Sequence, residues 1–265
     1  MNDVIKSRKN SLVTHLRSLK LKKYRDEFQE YVVEGTVVIC DALGCNVPIK
    51  MILISEDYQI EPSLSETLQE KNIPLYVFSA DVFASMTDTK SPQGIIAVCM
   101  QNSEHMFAVE EGQNGFYLFC DQIKDPGNLG TIIRNAAAFR ASGVILSKEC
   151  VDLYNEKVIR STMGTMFHVP IISCMDDLEM LQNLKNHGIE IWAGTLNAKE
   201  DIREVVPCGK VCIVVGNEAN GVSDQVLALT DKTVQINMPG NIESLNVSVA
   251  TGILLYELAN KYGFM

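Results

Sequence analysis

Between residues 115 and 238 one pattern recurs: a short unbroken apolar run, a polar or glycine-bearing turn, then a stretch with helical spacing. The runs are GFYLFCDQI (115–123), GVILSK (143–148), EIWAGTL (190–196), VCIVVGNE (211–218) and TVQINM (233–238). They do not alternate apolar with polar, so neither face of the sheet they form can be left in water. The covering layers come from TIIRNAAAFRA (131–141), EKVIRSTMG (156–164), DDLEMLQNLKNHG (176–188) and SDQVLALT (223–230). The fold class predicted is α/β, a parallel sheet with helices on both sides. PGNLG (126–130) reads as a turn, and the helix after it turns Ile132, Ile133, Ala136 and Ala137 inward.

The last helix, within LNVSVATGILLYELANK (245–261), places Leu245, Val249, Ile253 and Tyr256 near one face, which is expected to be buried. Its start carries Ser244, Asn246 and Ser248, more small hydrogen-bonding groups than a single helix cap requires. The first hundred residues hold a second, smaller strand–helix alternation. KMILIS, PLYVFSA and GIIAVCM read as strands, and SLSETLQEKN and ADVFASM as helices, giving an α/β/α layer. The polar stretch 101–115 is taken as the junction, with domains at 1–105 and 106–265.

Composition narrows the function. Acidic residues outnumber basic ones 33 to 23, and a net charge of −10 disfavours indiscriminate binding to nucleic-acid phosphates. The opening segment is the exception, with Lys6, Arg8, Lys9, Arg17, Lys20, Lys22, Lys23 and Arg25 against Asp3. It reads either as a solvated helix face or as a basic arm meeting RNA backbone, with Arg8, Lys9, Arg17, Lys22 and Lys23 as the contacts. No apolar run reaches membrane-spanning length and MNDVIKSRKN lacks a signal-peptide core, so a cytoplasmic protein is expected. Cys40, Cys99, Cys120 and Cys212 lie in apolar runs and read as core residues. With no C-x-x-C and four scattered histidines, neither a metal site nor a disulfide framework is expected.

Three polar loops follow strands: DPGNLGTIIRN (125–135), GNEANG (216–221) and NMPGNIESLNVS (237–248). Ligands of open parallel sheets bind beyond the carboxyl ends of strands, where glycine lets backbone approach them. None of the loops carries the dinucleotide fingerprint or the Lys-Ser/Thr ending of a phosphate-binding loop.

The set N-x-G-x-I-x-R-x-A (Asn128, Gly130, Ile132, Arg134, Ala136), G-x-E-x-x-G (Gly216, Glu218, Gly221) and M-P-G with S-L-N-V-S-V-A (238–240, 244–250) resembles the three motifs of the SpoU/TrmH family. These are RNA ribose 2′-O-methyltransferases of the SPOUT class. The likeness extends to VIRSTMGTMFHVP (158–170). FQEYVVEGTVVICDAL (28–43) and KSPQGIIAVC (90–99) resemble the family's L30e-like RNA-binding domain. The resemblance implies an N-terminal L30e-like α/β/α domain, then a SPOUT domain with a parallel sheet and a deep trefoil knot. It also implies S-adenosyl-L-methionine as cofactor, structured RNA as substrate and a homodimer through the C-terminal domain, with no metal and no membrane.

Carried over by position, Gly216, Ile236 and Leu245 line the methyl-donor pocket, Thr195 and Leu196 form a further wall, and Met238 and Ser244 join them. Asn128, Arg134, Glu218 and Asn246 form the catalytic set. Arg134 occupies the position proposed in the family to activate the ribose hydroxyl. A guanidinium that stays protonated suits a fork on phosphate and on developing oxyanion charge better than a base. Asn128 orients Arg134 or the ribose, and Glu218 is either a loop brace or a catalytic group. Arg160 and Ser161 are candidates for the RNA groove. Ribosomal RNA of the large subunit is the first target expected. The alternatives are a transfer-RNA 2′-O-methyltransferase and a non-catalytic RNA-binding protein of the same fold; a nicotinamide enzyme is disfavoured by the missing fingerprint.

Overall fold

The computed structural model describes residues 3–87, 89, 91–101, 115–240 and 244–264. The junction expected within 101–115 lies outside them except at its two ends. The described chain forms two units, 3–101 with 154–167, and 115–153 with 168–264.

In the first unit, α1 (Ser11–Ser18) and α2 (Lys22–Phe28) lead to β1 (Glu30–Glu34), α3 (Thr36–Gly44), β2 (Ile49–Ser55), α4 (Pro62–Glu70), β3 (Leu75–Phe78), α5 (Ala80–Ala84) and β4 (Ile95–Met100). The sheet order is β1-β4-β2-β3, with β4 antiparallel to β1 and β2, and β2 parallel to β3. Successive strand residues point to opposite faces. Met51, Leu53, Phe78, Ile96 and Val98 pack with Val13 and Leu16 of α1 and Val82 and Phe83 of α5. The intervening Ile52, Ile54, Ile95 and Ala97 are buried as well, and α3 lies against β1 and β4.

The opening segment is built into this unit. Ile5 bridges Phe78 in parallel, its N–H donating to Val77 and its carbonyl accepting from Ser79. Arg8, Lys9, Arg17, Lys22 and Lys23 are exposed. Arg8 lies 3.6 Å from Asp81, Arg17 donates to the Ser85 carbonyl, Lys22 pairs with Asp26 at 3.0 Å, and Lys23 sits over the Tyr24 ring. Arg25, which the sequence groups with these cations, is buried instead. Its Nη1 donates to the carbonyls of Leu19 and Lys20, both at 2.8 Å, and so satisfies the end of α1.

The second unit begins with β5 (Phe116–Cys120), α6 (Pro126–Ala138) and β6 (Gly143–Leu146). The chain then supplies α7 (Glu156–Thr162), which packs on β1 in the first unit, where Tyr154 meets the Tyr31 ring at 4.5 Å. A division at a single point in the sequence misses this excursion. Arg160 and Ser161 therefore belong to the first unit, Arg160 4.0 Å from Glu156 and Ser161 Oγ donating to the Lys157 carbonyl.

The remaining elements are β7 (Ile171–Ser173), α8 (Asp177–Asn186), β8 (Glu190–Gly194), β9 (Glu200–Asp201), β10 (Val211–Val215), α9 (Asp224–Leu227), β11 (Lys232–Gln235) and α10 (Val247–Lys261). The sheet order is β7-β6-β5-β10-β8-β11-β9, and every pairing is parallel. Tyr117, Phe119, Ile191, Cys212 and Val214 pack with Leu181 and Leu184 of α8 and Val226 of α9. The opposite face carries α6 and α10, which pack on each other.

Three expectations need correction. PGNLG is the first turn of α6 rather than a separate turn. Asp125 caps the helix by accepting the Asn128 N–H at 2.8 Å, and Pro126 sits where no intrahelical donor is needed. On α10 the buried residues are Ser248, Thr251, Leu254, Leu255, Leu258 and Ala259, whereas Val249 is 51% and Tyr256 44% exposed. The two faces are nearly equally apolar, so periodicity could not tell which meets the sheet. Cys40, read as core, is exposed on α3. Cys99, Cys120 and Cys212 are buried, and burial pushes the Cys99 thiol up to about 12.

Glu30 opens β1 as a buried carboxylate. His15 Nε2 lies 2.6 Å from its Oε2, and Lys50 Nζ pairs with Oε1. Removing its charge strips both partners at once, although Lys50 is half exposed and recovers some hydration. Glu30→Gln is expected to lower the unfolding free energy by about 2 kcal/mol in a urea titration with unchanged slope. An unaltered midpoint would show that the cluster contributes nothing to the first unit.

Candidate functional site

β5, β10, β8 and β11 are neighbours in one parallel sheet, so the segments following them emerge at the same edge. These are 121–128, 216–223, 195–199 and 236–246, the last without residues 241–243.

The segment after β10 is folded back on itself. Asn217 and Gly221 exchange backbone hydrogen bonds, both 2.9 Å, and the Asn217 side chain accepts from the N–H groups of Ala219 and Asn220. A Cβ on Gly216 would overlap the backbone of Gly221 and Val222, so only glycine fits there. The loop is strapped to the segment after β5. Asn217 Nδ2 donates to the Gln122 carbonyl at 2.8 Å, and the Ser223 N–H donates to Asp121 Oδ2 at 2.7 Å. Asp121 is 1% exposed, and its Oδ1 finds no partner among the described residues.

Glu218 reaches back from this loop. It accepts from the backbone N–H groups of Lys124 (3.4 Å) and Asp125 (3.2 Å) and from Asn128 Nδ2 (3.0 Å). Partial burial works to raise its carboxyl pKa, but the hydrogen bonds from Asn128 and the two amides outweigh it and hold the group below its ordinary 4.5. Asn246 closes the arrangement from the other side. Its Nδ2 donates to Asn128 Oδ1 at 3.0 Å, while its Oδ1 accepts the Ser248 N–H (2.9 Å) and hydroxyl (2.6 Å). Asn246 is thus the cap of α10, and Asn135 Nδ2 holds the Ser248 carbonyl at 2.9 Å. The cluster of small polar residues serves two ends: it caps one helix and joins it to the first turn of another.

A donor–acceptor chain therefore runs Ser248–Asn246–Asn128–Glu218 and ties three segments together. Arg134 is exposed on α6, about 9 Å further along the helix axis than Asn128 and about 120° round it. Asn128 directs its amide to Glu218 and Asn246. Thr195 donates its N–H to the Val234 carbonyl, which joins the ends of β8 and β11. Leu196 is 58% exposed, Ile236, Met238 and Leu245 are half-buried, Ser244 is exposed and Gly216 is buried. No lysine or arginine stands among these seven. An apolar surface with backbone groups is suited to a neutral purine and has no feature that repels a cationic sulfonium.

Asp121, Asp125 and Asn217, which hold the loops, escaped the sequence reading. Asp121 had a signal, an acid placed directly after the apolar run FYLFC; Asn217 had none beyond its place beside Gly216.

A chain that holds both a parallel sheet with three polar loops bonded at its carboxyl edge and a second, smaller α/β unit has the make-up of a SpoU-type methyltransferase joined to a substrate-binding domain. Residues 115–256 match the SpoU rRNA Methylase family, and residues 10–97 match the MRM3-like substrate binding domain. The chain belongs to the SpoU rRNA methylase family. It is 33% identical to the 23S rRNA (guanosine(2553)-2′-O)-methyltransferase RlmP of Bacillus subtilis, over 96% of this chain and 98% of that protein. The AdoMet-bound rRNA methyltransferase of Sinorhizobium meliloti superposes with a TM-score of 0.87 at 28% identity, covering 97% of both chains. The AdoMet complex of the SpoU methyltransferase AviRb from Streptomyces viridochromogenes has the same fold, with a TM-score of 0.88 at 23% identity.

Glu218 tests the bracing. Glu218→Ala removes every acceptor and is expected to cost about 1 kcal/mol and to speed amide exchange at 216–223 and 124–128. Glu218→Gln keeps an acceptor at the Oε1 position but loses the charge and the acceptor facing the Lys124 N–H, and should fall between wild type and Glu218→Ala. Because the folded pKa is depressed, the bracing is complete above 4.5 and fades as pH falls through the lower folded value. Hydrogen exchange in these loops should therefore exceed its intrinsic pH trend only below about pH 4.5. Equal exchange in wild type and Glu218→Ala would remove Glu218 as a brace.

Proposed function

We propose that the chain transfers a methyl group from S-adenosylmethionine to a ribose 2′-hydroxyl of 23S ribosomal RNA. The observation that carries this is the bonding of Asn128, Glu218 and Asn246 at the edge where the apolar Leu196, Ile236, Met238 and Leu245 also gather. Likeness to RlmP over nearly the whole of both chains supports the RNA target.

When bound, S-adenosylmethionine supplies an electrophilic methyl carbon on a sulfonium whose thioether leaves neutral. The chain has to place the hydroxyl oxygen in line with that bond, and positioning of this kind supplies much of the acceleration. The guanidinium of Arg134 offers only donors, so its role is to grip the neighbouring phosphate and stabilise negative charge growing on the ribose oxygen. The hydroxyl proton leaves to a phosphate oxygen or to water. Asn128 and Asn246, held in one orientation by Glu218, keep the first turn of α6 and the start of α10 in register while Arg134 acts.

The active form is a homodimer, and the chain end is threaded through a trefoil knot. Support for the dimer comes from α10, whose Val249, Ile253 and Tyr256 form a stripe that Phe139 extends, its ring 5.9 Å from that of Tyr256. A second copy would cover this apolar face. All eight cysteines are free, in keeping with the reducing cytoplasm, and no helix among the described residues is long and apolar enough to cross a membrane.

Two outcomes are expected. Arg134→Ala abolishes methyl transfer to 23S RNA, followed by mass analysis of nuclease fragments, while calorimetry gives unchanged affinity for S-adenosylmethionine. Retained transfer would take Arg134 out of the mechanism, and methylation confined to transfer RNA would replace the target. Tyr256→Glu shifts the protein from dimer to monomer in sedimentation at micromolar concentration; a monomeric wild type would refute the dimer.

A further inference from the structure

We infer that the cleft at the strand-end edge of the first unit binds an unpaired nucleobase of the RNA, one carrying an exocyclic amino group. As a statement about substrate recognition this rests on the methyltransferase reading above.

The topology creates the cleft. β1, β2 and β3 end at the edge where β4 begins, which brings Gly35, residues 55–59, Ala80 and residues 92–94 to one rim. Between them lies a cavity of about 530 Å³, room for a base with its ribose. Tyr58 and the largely buried Phe83 are the aromatic residues of its lining, with Ser55, Asp57, Gln59 and Gln93 beside them. Tyr58 is held in place, its hydroxyl 2.7 Å from Thr36 Oγ1. Gly94, at φ +81°, lets the ring lie against backbone, since a Cβ there would come within 3.1 Å of Tyr58 Cδ2.

The chemistry of the lining selects the ligand. Among the described residues no lysine or arginine lines the cavity and Asp57 adds a negative charge, which disfavours phosphate. An aromatic ring beside a carboxylate, an amide and a hydroxyl suits a base that stacks on Tyr58 and offers its Watson–Crick edge to the rim. Ser55, Asp57 and Gln59 make no side-chain hydrogen bond among the described residues, so their capacity is available. A carboxylate only accepts: the amino groups of guanine, adenine and cytosine offer it donors, whereas the single N3–H of uracil is flanked by two carbonyls that repel its second oxygen.

Saturation-transfer NMR on the full chain tests this, with guanosine, adenosine, cytidine and uridine as probes. S-adenosylhomocysteine is present at the one equivalent that fills the methyl-donor site and no more, because its own adenine would compete for the cleft. The expected result is transfer to the base protons of the three amino-bearing nucleosides, strongly reduced in Asp57→Ala and in Tyr58→Leu, with inorganic phosphate failing to compete. Asp57→Ala should keep the wild-type melting temperature and Tyr58→Leu should lower it by a few degrees, while both keep donor affinity and raise KM for 23S RNA about tenfold with kcat retained. Signals indifferent to both substitutions, or displaced by phosphate, overturn the inference. A wild type that methylates no RNA overturns the methyltransferase reading instead, because nucleoside contact with the cleft is measured independently of transfer.

Discussion

All-parallel pairing of β5, β10, β8 and β11 is the constraint on which the site depends. With both faces of the sheet buried, polar groups have no outlet except at the strand ends, and parallel direction sends four consecutive carboxyl ends to one edge. Antiparallel pairing would divide the same loops between two edges and leave Asn128, Glu218 and Asn246 about a strand's length apart. The apolar runs between 116 and 235 therefore act on function indirectly, by deciding where the loops between them can go.

Within that edge the choice of side chains follows from hydrogen-bond capacity. Asn128 must donate to Glu218 and accept from Asn246 at the same time, which an amide can do and a carboxylate cannot. Aspartate at 128 would set a second negative charge against Glu218, and a hydroxyl there would be too short to span both partners. Asn246 has the same double duty, donating to Asn128 while its oxygen caps α10. The Glu218 carboxylate ends the chain as a pure acceptor, taking up two backbone donors near the start of α6 as well. Once α6 and α10 are joined in this way, each polar residue on the path has its partners.

Much of this was legible from the residues, and the gaps have physical causes. Unbroken apolar runs announced the parallel sheet, since no other sheet hides both faces so completely. The three polar loops announced the edge. Two strands of this sheet were not legible: β7 has three residues and β9 two, too few for any periodicity. Asp125 and Pro126 did contain a helix start, but the glycine at 127 and asparagine at 128 made it look like a turn. The buried side of α10 was unreadable because its second face is apolar too. The role of Arg25 was unreadable because its charge satisfies carbonyls of its own neighbourhood, a use of arginine that leaves no trace in charge counting. The assignment of functional roles came from motif resemblance, since hydrogen-bond partners 90 and 118 residues apart have no signature in spacing.

The acidic balance of the chain bears on how RNA is met. A net charge of −10 cannot hold a polyanion by attraction alone, and the cations of the opening segment are partly committed: Arg25 is buried, while Arg8 and Lys22 face acids. Recognition must then draw on contacts that do not depend on net charge, such as base stacking, amide and carboxylate readout of base edges, and shape. Such contacts are short-ranged and demand a rigid frame, which the first unit provides through a sheet covered on both faces and an opening segment bridged to β3. Weak nonspecific attraction also means that RNA without the right unpaired features is released quickly. For an enzyme acting on RNA, repulsion of the wrong RNA is as useful as attraction of the right one.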